Sequence, residues 1–289
     1  MSLYAASSTS SPTIPWLQWM RSGEWQRGGR ASIPMLPALA QEIMEIALDP
    51  DVPANRIAMV VSKDPVLAGR VLQVANSAAS AAQNEITSIQ ESVVRIGVTS
   101  VRNIVTAACL SSMMTDRRVY GDHGRDLVDH SIGTAYLARL VADQAGENSD
   151  EAFVYGLMHD VGKFVILKLA NSRTDGVAPP PPEELARFLA SEHGQFGGYF
   201  LRQSELSDIF YDPVVWHHEP EQAGDRPVSA AVAYVANRLA HRYGFGCSKV
   251  EEELLEDPYF IQFRIDGKVL DRIDQRAPGL FEVARKIVG

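Results

Sequence analysis

The chain has 289 residues, of which 46% are hydrophobic and 22% charged, so it can bury a sizeable core. Its formal net charge of −9 and pI near 5.3 exclude a general binder of nucleic acids or anionic membranes, because no basic excess is available to neutralise phosphates. Apolar stretches are too short to span a bilayer, and we find no export signal, so we expect a cytoplasmic protein without a membrane segment.

The two cysteines, Cys109 and Cys247, lie far apart and show no CxxC spacing. This usage predicts a reduced compartment and no disulfide framework.

The first segment, residues 1–32, is rich in Ser, Gly and Arg and predicts a flexible arm. An alternative is that Trp16, Leu17 and Met20 form a short amphipathic turn that docks on the body or on a partner. The argument for this alternative is that exposed tryptophans in a disordered arm would lower solubility, but the flexible arm is the preferred prediction.

Residues 33–115 show helical periodicity and no alternating strand pattern of useful length. Asp64-Pro65 predicts a helix start with Asp as N-cap and Pro at the first helical position, and Gly97 predicts a helix end. We expect about five short helices here. Helices of this length are not stable alone and must pack on one another.

Longer helical patterns follow in residues 116–246, the first running from about Gly124 to Gly146 and the second capped by Asp150. Residues 247–289 predict two amphipathic helices, with a break at Pro278. The predicted fold class is all-α: an N-terminal bundle packed on a second helical bundle, with a C-terminal helical extension.

The dipeptide His159-Asp160 is the strongest chemical signal. A neutral imidazole and an adjacent carboxylate are natural ligands for a divalent transition metal. Neighbouring residues on a helix diverge by about 100°, so both side chains reach one ion only if the helix faces the ion closely or ends there. Gly162 supports such an end.

Four further imidazoles fall on the apolar sides of predicted helices: His130, His193, His217 and His218. A lone histidine of this kind is more simply a structural residue bonded to a carbonyl. Several buried imidazoles without partners would be unfavourable, so together they favour a common metal or a dense hydrogen-bond network. By contrast, His123 and His241 are interpreted as ordinary surface residues.

The order of these residues resembles the HD superfamily of metal-dependent phosphohydrolases, most closely its HD-GYP branch and the related HDOD domain. The N-terminal half favours HDOD, since its motifs match that signature in order and spacing. These motifs are Pro34-Met-Leu-Pro37, Asp64-Pro65-Val-Leu67, Leu72-Gln-Val-Ala-Asn76-Ser77, Ile86-Thr-Ser-Ile89 and Arg95-Ile96-Gly97. The resemblance covers about residues 33–245. It implies an HDOD helical subdomain at 33–115 and an HD-like subdomain at 116–246.

The resemblance also implies a ligand set for one or two divalent ions, with iron or manganese favoured and zinc as an alternative. The matching residues are His130, His159, Asp160, His193, His217 and His218. Lys163 matches a lysine that neutralises substrate phosphate in catalytic relatives. It is equally well explained as a solvated lysine at a helix end.

Two departures from the catalytic pattern stand out. Asn237 occupies the position of a later metal-binding Asp, and it can offer only a neutral carbonyl oxygen, so cation affinity should fall. Alternatively, Asn237 is a polar group packed against a neighbouring helix. The loop Gly224-Asp225-Arg226-Pro227 also lacks the Gly-Tyr-Pro motif of cyclic di-GMP-cleaving relatives.

The resemblance therefore implies a bacterial signalling protein, more an adaptor than an enzyme. Its N-terminal half would bind a regulatory protein partner, and its HD-like half would bind metal and a nucleotide-like ligand. The alternative is a phosphohydrolase acting on a nucleotide or cyclic dinucleotide, with Asp160 and Lys163 as catalytic residues. A purely structural histidine-rich core is a third hypothesis.

Overall fold

A computed structural model describes residues 15–23, 25, 38–48, 52–78, 86–114, 117–121, 123–171, 180–246, 249 and 253–288. Its helices are α1 (Pro15–Ser22), α2 (Ala38–Leu48), α3 (Ala54–Val61), α4 (Pro65–Ala78), α5 (Ile89–Ile96), α6 (Val98–Met113), α7 (Arg117–Tyr120), α8 (His123–Ala145), α9 (Ser149–Met158), α10 (Val161–Asn171), α11 (Pro182–Gln203), α12 (Tyr211–Val215), α13 (Pro227–Tyr243), α14 (Pro258–Gln262) and α15 (Gly267–Val288). Three short 3₁₀ turns occupy Asp208–Phe210, Pro220–Gln222 and Leu254–Glu256. The described residues contain no strand, which confirms the all-α prediction.

The N-terminal half consists of α2 to α6 packed on one another. Asp64 caps α4 as predicted, because its Oδ1 accepts hydrogen bonds from the backbone N–H groups of Val66 and Leu67. Gly97 separates α5 from α6 with a φ of 84°, a conformation that suits glycine. At both positions, the local sequence signal was therefore sufficient to predict the helix boundary.

Helix α6 is the common core element of the two halves. It contacts α2, α3, α4 and α5 on one side and α8, α9 and α15 on the other. Arg102 on α6 is buried and pairs with Asp150 at the start of α9, at 2.8 Å. The prediction that Asp150 caps α9 is wrong. Asn148 is the N-cap and accepts from two backbone N–H groups, which leaves the Asp150 carboxylate to the arginine.

The HD-like half is built on close contacts between α8, α9 and α13 and between α10, α11 and α12. Glycines allow this closeness. A Cβ on Gly156 of α9 would lie 2.9 Å from the Cα of Ala135 on α8. A Cβ on Gly197 of α11 would lie 2.8 Å from the Val214 side chain on α12.

Part of the predicted N-terminal arm is ordered against the body. Trp16 and Met20 of α1 are buried, as is Trp25, and the Trp16 ring meets Phe188 of α11 edge-on at 5.4 Å. For residues 15–23 and 25, the docked amphipathic turn replaces the flexible arm. Large apolar side chains gain more from burial than the segment loses in conformational entropy.

In the C-terminal extension, Asp257 caps α14, because its Oδ1 accepts a hydrogen bond from the backbone N–H of Tyr259. The predicted break at Pro278 is wrong, because α15 continues through it from Gly267 to Val288. An interior proline costs about 3 kcal/mol, and burial of Ala277, Ala284 and Ile287 along the same helix offsets that cost. Since α15 contacts α4, α6 and α8, it touches both halves. The domain boundaries stay predictions.

Within the described ranges, no individual helix has the length and apolar character needed to cross a membrane. One pair of helices, α5 and α6, meets the criterion when taken together, but it is bent by 117°.

Candidate metal centre

The six predicted ligands are supplied by four separate places in the HD-like half. His130 lies in the middle of α8, and His193 lies in the middle of α11. His159 and Asp160 form the turn between α9 and α10, which is the helix end that two adjacent ligands require. The pair of histidines 217 and 218 forms the turn after α12. The fold brings all six together.

Four of the rings are oriented by backbone carbonyl groups. The Nδ1···O distances are 3.2 Å for His130 and Phe245, 2.7 Å for His159 and Gly156, 2.6 Å for His193 and Leu189, and 2.8 Å for His217 and Val214. A carbonyl oxygen can only accept, so each Nδ1 carries the proton and donates it. In a neutral ring the Nε2 atom is then left with a free lone pair.

Four of the rings, those of His130, His193, His217 and His218, are neutral at ordinary pH. Burial, followed by the neighbouring His159, lowers the pKa of His130 to about 3. Burial lowers the pKa of His193 and of His218 to about 4. The pKa of His217 falls well below its ordinary value for the same reason, with His218 adding to the effect.

The unprotonated Nε2 atoms face one another. His130 and His159 bring theirs to 3.2 Å, His193 and His217 to 3.1 Å, and His193 and His218 to 3.2 Å. In the pairs His130–His159 and His193–His217, both Nδ1 atoms donate to carbonyl groups, so two lone pairs face each other and cannot hydrogen-bond. Nitrogens bound about 2.1 Å from one ion at tetrahedral or octahedral angles lie about 3.0–3.4 Å apart, so these spacings fit shared cations.

The candidate ligand atoms form two groups of three, which we call triads. The first triad is His130, His159 and Asp160, and the second triad is His193, His217 and His218; within each, the ligand atoms lie within 4.8 Å of one another. The residues of the first triad are buried, whereas His218 opens the second triad to solvent.

Asp160 connects the two triads. Its Oδ2 lies 3.4 Å from His159 Nε2 and 3.7 Å from His130 Nε2, and its Oδ1 lies 3.3 Å from His193 Nε2. Oδ1 is buried and has no hydrogen-bond partner among the described residues, an arrangement that a cation would satisfy. Burial raises the pKa of this carboxyl, but Lys163 and His159 outweigh burial and hold the pKa well below its usual range.

Lys163 is one helical turn from Asp160 and donates to its Oδ2 at 2.7 Å. Its side chain is 23% exposed, so the ammonium group lies at the edge of the buried cluster. Lys163 is thus an ion-pair partner of the Asp160 carboxylate and lies next to the cluster; it is not simply a solvated lysine at a helix end.

Asn237 lies in this cluster as the sequence pattern predicted. From α13 it brings its Oδ1 to 2.9 Å from the Nε2 of His130. Both atoms carry lone pairs, so their approach again fits a cation and gives the amide oxygen the position of a neutral ligand.

The interpretation of His241 as an ordinary surface residue is wrong. It is half-buried, and its ring centroid lies 4.7 Å from that of His130. The signal that could have found it is its spacing of four residues from Asn237, which places both on one face of α13. His123, at the start of α8, is exposed as predicted.

The loop after the histidine pair is held in place by two carboxylates. Asp212 Oδ2 accepts from the backbone N–H groups of Asp225 and Arg226, at 2.7 and 2.9 Å. Arg226 also pairs with Glu151 of α9 at 2.8 Å. Asp212 lies in the first turn of α12 and does not cap it, since the N-cap is Phe210. Asp212 fixes the loop that lacks the Gly-Tyr-Pro motif.

The chain belongs to the HDOD family, since the model of the HDOD domain matches residues 33–220. An uncharacterised protein of Treponema pallidum is 23% identical over 70% of this chain, and this chain spans 41% of that protein.

Two solved structures share the fold. An HDOD domain protein of unknown function from Geobacter sulfurreducens is 21% identical with a TM-score of 0.69, covering 93% of this chain and 97% of that one. A protein from Shewanella amazonensis, provisionally named a phosphohydrolase, is 20% identical with a TM-score of 0.67, covering 94% of this chain and 97% of that one.

Proposed function

We propose that this HDOD protein is a metal-binding regulatory adaptor whose HD-like half holds two divalent ions. The observation that carries the proposal is the convergence of imidazole Nε2 atoms, at 3.1–3.2 Å, on either side of the single carboxylate of Asp160. The first triad with the Asn237 oxygen would bind one ion, and the second triad would bind the other. Iron or manganese is favoured for the mixed imidazole and carboxylate set, with zinc as the alternative.

The regulatory part of the proposal concerns the N-terminal half and its attachment to the metal centre. Helix α9 begins at the ion pair between Asp150 and Arg102 of α6, and it ends at His159. A change at the ions would therefore reach α6, the core helix of the N-terminal half, through one rigid helix. We propose that the N-terminal half binds a regulatory protein partner in the cytoplasm and that the HD-like half also takes a nucleotide-like ligand.

A second candidate is a metal-dependent phosphohydrolase acting on a nucleotide or cyclic dinucleotide. The bridging carboxylate and the nearby ammonium group of Lys163 favour it. Divalent ions at such a site would activate water and polarise phosphate oxygens. Asp160 would orient the ions, and Lys163, once released from Asp160, would pair with the phosphate. The neutral Asn237 and the loop at 224–227 argue for the adaptor instead.

One set of measurements tests both candidates. The protein is purified without chelator, and bound iron, manganese and zinc are quantified. Phosphate and linear dinucleotide release are then assayed with a nucleotide panel. Stoichiometric metal without turnover supports the adaptor, and turnover abolished by Asp160→Ala would replace it with the phosphohydrolase. Metal-free protein whose fold is unchanged by His159→Ala would leave the histidines with a structural role only.

A further inference from the structure

A cavity lies beside α11, outside the metal centre. It has a volume of about 350 Å³ and is formed between α1 with Trp25, the middle of α11 and the start of α12. This size falls in the range of small-molecule sites. None of the six metal-ligand residues lines it.

The floor of the cavity is apolar and aromatic. Met20, Trp25, Phe188 and Phe196 line it, and each is at most 7% exposed. The Trp25 indole stacks on the Phe196 ring at 5.0 Å and donates from Nε1 to the Met20 carbonyl at 2.9 Å. The floor is thus a tightly packed set of apolar side chains, of which only small parts face the cavity and can contact a flat unsaturated ring.

The rim of the cavity is polar and carries two guanidinium groups. Arg202 lies over the Tyr211 ring at 4.3 Å, and among the described residues no carboxylate pairs with it. Arg21 is 67% exposed and lies 4.0 Å from Glu192, a separation that makes only a weak ion pair. Guanidinium groups bind phosphate through paired hydrogen bonds, and the Glu192 carboxylate can accept from ring N–H groups.

We infer that this cavity binds a nucleoside monophosphate, with the base on the aromatic floor and the phosphate at Arg202 and Arg21. An apolar floor with a cationic rim requires a ligand with an aromatic ring at one end and an anion at the other. The cavity gives the nucleotide-like ligand of the proposed function a site separate from the ions. The inference rests on the proposed function only for the regulatory role of the nucleotide, because nucleotide binding in this cavity needs no metal.

The test uses the full chain after chelation, titrated with AMP and GMP by calorimetry, with adenosine and inorganic phosphate as partial ligands. At least one of the two nucleotides should bind, and adenosine and phosphate should each bind at least about tenfold more weakly. Arg202→Gln and Arg21→Gln should each weaken binding by about tenfold or more. Arg187→Gln is the matched control, since Arg187 is exposed on α11 and lies outside the cavity lining.

Absence of AMP and GMP binding at millimolar concentration would overturn the inference, as would wild-type affinity in both rim variants. Metal content is measured on the same preparation before chelation. Nucleotide binding by protein purified without metal would support the nucleotide site and contradict the two-ion proposal. Bound metal without nucleotide binding would support the two-ion proposal and contradict the nucleotide site.

Discussion

The substitution Gly162→Ala should move the two triads apart without replacing any of the predicted metal ligands. Gly162 is two residues after Asp160, and a Cβ built on it would lie 1.8 Å from the carbonyl oxygen of His193 and 2.6 Å from the backbone nitrogen of Gly197. Real Cβ contacts are essentially never shorter than 3.0 Å. Because the opposing atoms are backbone, α10 and α11 must move apart by about 1.2 Å at this point, and no rotamer change can relieve the contact.

The movement acts on one triad more than on the other. His193 travels with α11 away from the Asp160 Oδ1, which now lies 3.3 Å from its Nε2. His130 and His159 are attached to α8 and α9 and keep their places. We expect metal content to fall from two ions per chain to one or fewer, with stability lower by about 1–3 kcal/mol.

The assay combines metal quantification on purified protein with urea unfolding. Gly69→Ala is the matched control. Gly69 also lies inside a helix, but no heavy atom lies within 4 Å of its built Cβ, so alanine should leave metal content unchanged and raise stability by about 0.5–1 kcal/mol. Two bound ions and wild-type stability in Gly162→Ala would refute the reasoning.

Three further predictions follow from single residues. Asn237→Asp adds an anionic oxygen beside His130 and should raise metal affinity by about tenfold or more, measured by competition with a chelating dye; unchanged affinity would remove Asn237 from the ligand set. Trp16→Ala should lower the free energy of unfolding by about 3 kcal/mol in urea, whereas an undocked arm would give no change. In chelated protein, the pKa values of about 3 for His130 and about 4 for His193 lie below the ordinary value of 6.5. The unfolded chain therefore binds more protons than the folded chain between about pH 6.5 and 4, so the free energy of unfolding should fall as pH falls through that window. A melting temperature that does not change over this pH range would contradict the prediction.

Local signals predicted most of the helices and the membership of the metal centre. Asp64 and Gly97 act within one turn of the chain, so their effects can be read from neighbouring residues. The convergence of His130 and His193 was predictable because each lies on an apolar helix face, and the interior of one bundle is where such faces meet. The family resemblance supplied the remaining ligands in order.

Errors arose where distant residues compete with local preference. Asp150 could have capped α9, but Arg102, 48 residues earlier, takes its carboxylate and Asn148 caps instead. Pro278 stays inside α15 because the helix packs on three others. Such outcomes depend on tertiary contacts that no short window contains.

The role of Gly162 was only half predicted. The expected helix end is present, because α9 ends at Met158 and the turn at His159 and Asp160 follows, but Gly162 itself lies inside α10, which begins at Val161. The main effect of Gly162 is the close approach of α11, which depends on a residue 31 positions away and could not be read from the surrounding sequence. The close packing of α10 on α11 at Gly162 is also what brings His193 to the Asp160 carboxylate.

Anomalous X-ray scattering tests the central claim most directly. Crystals of protein purified without chelator would be measured above and below the absorption edge of the metal that elemental analysis finds. The account predicts two anomalous peaks, one against each triad, with Asp160 between them. A map with no peak at these residues, or with metal bound elsewhere on the chain, would contradict it.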